Sequence, residues 1–177
     1  MIDVSFFYEL LVNIIIYIIP IIMYLKLNEK VEVLAYLKLK GNAVKGILMG
    51  ILVSFIFIIL LLAKNSIIGF GKINFNLGMF WISGLLVGFL EEIPFRGFLL
   101  QKLSDHMSFW KANILTTVIF VSIHIPTWIN SNKSILQTSI RVSFASLALG
   151  YLFKKYNSLW TPVICHSVYD LCFWIGL

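Results

Sequence analysis

The apolar positions of this chain fall into long stretches separated by short polar connections. A helix needs about 20 apolar residues to span a bilayer. Six stretches approach that length: residues 5–25, 43–63, 77–103, 110–125, 135–153 and 159–177. The second is the cleanest, nearly unbroken over residues 47–62. The fourth is short and is expected to stop at Pro126, because proline has no N–H to continue the hydrogen-bond ladder. The pattern predicts an all-α polytopic membrane protein, a bundle of about six transmembrane helices forming one domain over residues 1–177. The first stretch lacks a basic flank and a small-residue cleavage site, so it is expected to be a retained helix.

Composition supports the same class. Of 177 residues, 60% are hydrophobic and only 12% charged, far more apolar than a soluble domain. The net charge of +6 does not point to nucleic acid, because the basic residues sit in connections between apolar stretches. Lys26, Lys30, Lys38, Lys40, Lys45, Lys102, Lys111, Lys154 and Lys155 fall on one side of the predicted bundle, and Lys64, Lys72 and Lys133 on the other. By the positive-inside rule, the lysine-rich connections are cytoplasmic and both termini lie outside. Residues 31–40 mix Leu, Tyr and Lys, and read equally as a helix on the membrane face or as a solvated loop. Cys165 and Cys172 share one apolar stretch and read as small buried hydrophobes. Gly84 and Gly88 share a face and suit close helix packing.

Against this background one segment stands out. Glu91-Glu92-Ile93-Pro94-Phe95-Arg96-Gly97 puts two carboxylates and a guanidinium inside an apolar run. Charges in a membrane are expensive and are tolerated where they pair or face a watery cavity, so they mark a functional site. Glu92 and Arg96 are four apart and can pair on one helical face. Glu91 points about 100° away and has no cation close in sequence, which makes it the acid freer for chemistry.

Other polar groups lie in apolar stretches too. The fourth holds Phe120-Val121-Ser122-Ile123-His124, and the sixth holds His166-Ser167-Val168-Tyr169-Asp170. Asp170 is four residues from His166 and can orient its imidazole. His106 lies in a polar loop and has no assigned role. Arg141, near the outer end of the fifth stretch, can snorkel, pair with an acid or grip a substrate carboxylate.

Three chemistries fit these groups. A carboxylate and an imidazole converging on a water can remove its proton for attack on a carbonyl, with a second imidazole donating to the oxyanion. The same side chains are of the kind that hold a divalent metal, although no His-Glu-x-x-His helix is present. They could also form a proton or ion path, but six helices without evident inverted repeats make a poor transporter.

Taken in order, Glu-Glu-x-x-x-Arg, Phe-x-x-x-His and His-x-x-x-Asp resemble the CPBP family of intramembrane proteases, the CAAX prenyl endopeptidases and bacteriocin-processing enzymes also called Abi. The resemblance runs from Glu91 to Asp170 and implies a catalytic part over about residues 77–177. It implies that Glu91 is the general base, that His124 positions the water and that His166 stabilises the oxyanion. Glu92 and Arg96 would brace the site, and Asp170, often Asn in the family, would orient His166. It further implies hydrolysis of a peptide bond in a membrane-associated peptide or protein, prenylated or not, in a prokaryotic plasma membrane. The family leaves metal dependence open, and the preferred reading requires no cofactor. The partners implied are membrane lipid and the peptide substrate, with no oligomeric state specified. The rival is a non-enzymatic scaffold or bacteriocin self-immunity protein, which has no chemical need for all of these residues. The site is expected nearer the cytoplasmic side.

Overall fold

A computed structural model describes residues 11–12 and 14–177. These form seven helices, and no strand occurs among the described residues. Helix α1 is Ile14–Leu27, α2 the single turn Val33–Tyr36 and α3 Ala43–Ile68. Helix α4 covers residues 80–104 as three continuous parts, Phe80–Glu92, Ile93–Leu100 and Gln101–Ser104. Helices α5, α6 and α7 are Phe109–Asn130, Ile135–Tyr156 and Trp160–Ile175.

Helices α3, α5 and α6 are long and apolar enough to cross a membrane, which marks an integral membrane protein. The sequence pattern predicts six such segments. The sixteen residues of α7 rise only about 24 Å, and α4 is interrupted by its charges. The first predicted segment lies partly outside the described residues, at 5–10 and 13.

Successive helices alternate in direction, so their connections gather at two ends. At one end, Leu159 N–H donates to Lys38 O at 3.0 Å, and Trp160 Nε1 donates to Leu39 O at 3.0 Å. Gln101 Nε2 donates to Tyr36 O at 2.8 Å, and Lys102 pairs with Glu29 at 2.8 Å. The lysine-rich connections therefore share one end. At the other, Asn74 N–H donates to Ile175 O at 2.9 Å.

One local expectation is refined and one needs correction. Residues 31–40 form a single helical turn, Val33–Tyr36, with Val31 and Leu34 exposed. They plug the end of the bundle with Leu37, which is 2% exposed and packs beside Gly97 and Leu159. Burying such a side chain stabilises by roughly 1.5–3 kcal/mol, enough to hold a short segment in place. Pro126 does not end α5, which continues to Asn130. Its missing N–H removes only one bond late in the helix, and Ser131 and Lys133 close the end onto Thr127 O and Trp128 O.

The π-helical stretch Ile93–Leu100 begins directly after the acid pair. Pro94 has no N–H for the Leu90 carbonyl, and the chain accommodates this by widening to the i→i+5 pattern, a device common at functional sites. Helix α7 packs closely on both α3 and α4 because glycines face it. A Cβ on Gly88 would fall on the Val163 carbonyl and Ser167 Oγ, and one on Gly50 would press against Ile164 Cβ and the Thr161 carbonyl. This contact carries the His166 segment of α7 to the acids of α4.

Candidate active site

Glu92 and Arg96 form a fully buried ion pair within α4, with Arg96 Nη1 donating to Glu92 Oε1 at 2.7 Å. The rest of the guanidinium is held by α6. Arg96 Nη2 donates to Ser146 O at 3.1 Å and to Ser146 Oγ at 2.8 Å. Thr117 of α5 meets Ser146 Oγ at 2.9 Å, and the Phe120 ring lies 5.0 Å from the guanidinium carbon. One buried cation thus ties three helices together.

Glu92 also reaches α7. His166 Nδ1 lies 2.7 Å from Glu92 Oε1, so the carboxylate accepts a proton-bearing Nδ1 and leaves Nε2 facing away. Asp170, expected from sequence to orient this ring, instead faces Nε2, with Oδ2 at 3.8 Å. The orienting contact comes from 74 positions away in sequence, beyond the reach of helical spacing. On α5, His124 Nδ1 lies 2.7 Å from the Phe120 carbonyl. A carbonyl can only accept, so Nδ1 carries the proton here as well.

Both imidazoles present Nε2 to the second acid. Glu91 Oε2 lies 3.7 Å from His124 Nε2 and 3.8 Å from His166 Nε2, beyond direct hydrogen-bond range. Unlike Glu92, Glu91 keeps 28% of its side chain exposed. The exposure is to a cavity of about 580 Å³ that Glu91, His124, His166 and Asp170 share with mainly apolar side chains. Fifteen residues of α5 precede His124 and six of α7 precede His166. The helices therefore reach the common acid from staggered starts.

The cavity also reaches Lys133, in the turn between α5 and α6. That turn lies opposite the lysine-rich end, while Leu152 of α6, which also lines the cavity, lies toward it. Sequence reasoning passed over Ser146 and Thr117, whose role depends on packing between helices. It also passed over Trp128, whose ring stacks on His124 at 5.9 Å. Its position four residues after His124 was the available signal. Phe120 packs against both imidazoles, 4.6 Å from His124 and 6.1 Å from His166 between ring centres. Among the described residues no three His, Cys, Asp or Glu side chains are grouped as metal ligands.

The family model for type II CAAX prenyl endopeptidases, Rce1-like, matches residues 72–172. That is more than half of the chain, and it takes in every one of these site residues. The protein belongs to the Rce1-like family of CAAX proteases, as its three motifs suggest, and family membership points to an intramembrane peptidase. No curated protein matches the chain, and no solved structure does.

Proposed function

We propose that this protein is an intramembrane endopeptidase that hydrolyses a peptide bond in a membrane-associated peptide or protein, using water activated by Glu91 and His124. The observation that carries the reading is the meeting of one cavity-facing carboxylate with two imidazole Nε2 atoms at 3.7 and 3.8 Å. A water bound at about 2.8 Å to Glu91 Oε2 and His124 Nε2 donates a hydrogen to each. Its remaining lone pair is then free to attack a carbonyl, and Glu91 takes the proton as general base.

Negative charge then develops on the carbonyl oxygen. His166 in its protonated form donates Nε2–H to that oxygen, while Glu92 accepts from Nδ1 and holds the ring. Glu92 is in turn fixed by Arg96, so the ion pair acts as a brace rather than as a reactant. Asp170, facing Nε2 of His166, offers a second carboxylate that favours this imidazolium. Glu91 returns its proton to the leaving amine as the tetrahedral intermediate collapses. No cofactor is required by this scheme.

In the membrane, α1 and α3 to α7 would make six crossings, with α4 and α7 shielded by the longer helices. The lysine-rich end would face the cytoplasm of a prokaryotic cell. Substrate classes consistent with this are prenylated peptides and peptides of the bacteriocin type.

The test is cleavage of membrane-associated peptides, prenylated and unprenylated, by purified protein in liposomes. Wild type is compared with Glu91→Ala, with and without chelator. Cleavage that disappears in Glu91→Ala and persists in chelator is expected. Equal cleavage by both proteins would remove Glu91 from the mechanism. Loss in chelator, restored by a divalent metal, would move the chemistry to a metallopeptidase. No cleavage of any peptide would favour a binding or immunity protein.

A further inference from the structure

The cavity holds charge at both ends. Beyond the acid cluster it is lined by Lys133 and Arg141, and both face the same ring of α7. The Arg141 guanidinium lies 4.7 Å from the centre of Phe173, and Lys133 Nζ lies 5.4 Å from it. Among the described residues neither cation has a carboxylate within salt-bridge distance, although Asp170 and Glu91 line the same space. Arg141 therefore reaches across to α7 rather than pairing with an acid. Both are exposed residues, Lys133 in the turn between α5 and α6 and Arg141 near the start of α6. Yet both line the cavity, where a charged side chain without a carboxylate partner is available to a ligand.

We propose that Lys133 and Arg141 form a carboxylate-binding subsite that anchors the peptide being cut. The proposal rests on the hydrolase reading of Glu91 and adds what the substrate must carry. Along α7, His166, Asp170 and Phe173 fall at intervals of four and three residues, so they share a face. Phe173 is seven residues from His166, about 10 Å along the axis. A peptide with its carboxylate at Arg141 spans that distance with roughly three extended residues. The acid cluster would repel the same carboxylate, so the charge pattern allows one orientation only. A guanidinium suits a carboxylate through paired N–H donors, and the apolar walls between the two ends suit hydrophobic side chains. A lipid phosphate held at the membrane surface would need neither the walls nor the acid end.

Binding tests this independently of turnover. The background is Glu91→Gln, so that no peptide is consumed. The probes are a fluorophore-labelled hydrophobic hexapeptide with a free C-terminal acid, its C-terminal amide, and the amide carrying an internal Asp. The acid is expected to bind about tenfold more tightly than the neutral amide, the scale of a charge-assisted contact. Adding Arg141→Gln should abolish most of that preference, Lys133→Gln part of it, and Arg141→Lys should retain a measurable share. Unchanged affinity for the neutral amide checks that the variants are folded. A preference for internal Asp equal to that for the free acid supports the subsite and assigns the carboxylate to a side chain. Equal binding of acid and neutral amide, or a preference that survives Arg141→Gln with Lys133→Gln, would overturn the proposal. So would displacement of both peptides by phosphatidylglycerol without acid–amide discrimination, which would give the cations to a lipid. Binding preference without cleavage by the protein with Glu91 intact would refute the peptidase and keep the subsite. Cleavage without preference would do the reverse.

Discussion

Replacing Arg96 with Met tests the brace most directly. Arg96 and Glu92 are both 0% exposed, so the change leaves a carboxylate with no water and only His166 as a hydrogen-bond partner. Two contributions can be compared. Interhelical polar contacts in membrane proteins average about 0.6 kcal/mol each, so losing the two bonds to Ser146 accounts for about 1 kcal/mol. Stranding one partner of a buried ion pair costs about 3–5 kcal/mol, and this contribution dominates. The prediction is therefore a loss of about 4 kcal/mol, read from reversible unfolding in mixed micelles. Adding Glu92→Gln should recover part of it, because the double variant buries no lone charge. Activity should not return, since His166 has then lost its carboxylate. A loss below about 1 kcal/mol for Arg96→Met, or a double variant no more stable than the single one, would refute the view that the pair is a buried unit.

Ser146→Ala keeps both charges and removes one contact to Arg96. It should lower stability by about 0.6 kcal/mol and lower kcat without raising KM, measured by unfolding and peptide hydrolysis. Gly88→Ala puts a methyl group against the Val163 carbonyl and Ser167 Oγ. It should cost about 1–3 kcal/mol and abolish cleavage by moving α7 off α4. Gly41→Ala, by contrast, meets no neighbour but sits at φ +80°, so it should cost about 1 kcal/mol in backbone strain and leave the site intact. Trp128→Ala removes the ring stacked on His124 and should reduce kcat about tenfold while the protein stays folded by circular dichroism. At the lysine-rich end, Lys102 above all, with Tyr24, holds the Glu29 carboxyl below its usual pKa of 4.5. The lowered value means that this tie is present above the ordinary carboxylate range and lost as pH falls through the depressed value. Acid should therefore loosen the contact between residues 28–32 and α4, seen as faster hydrogen exchange, and Glu29→Gln should remove that pH dependence.

Much of the site was legible in one dimension because helical spacing is local. Glu92 with Arg96, and Phe120 with His124, lie four residues apart, and a helix places such pairs together whatever surrounds it. The length and apolarity of the segments were enough to announce a helical membrane protein, and the order of three short motifs was enough to announce the family. Helical spacing failed where a contact joined different helices. It put Asp170 beside His166, but the carboxylate that holds Nδ1 is Glu92, brought there by the close packing of α4 on α7. The glycines permitting that approach are visible in the sequence, yet their spacing does not say which helix will come. The staggered entry of α5 and α7 is likewise a product of packing, and so is the choice of Ser146 and Thr117 as partners for Arg96. Leu37 looked like part of a connecting segment until the end of the bundle closed over it. Sequence determined the chemistry available and the faces that carry it. The tertiary structure decided which charges would meet, because those distances depend on how whole helices pack.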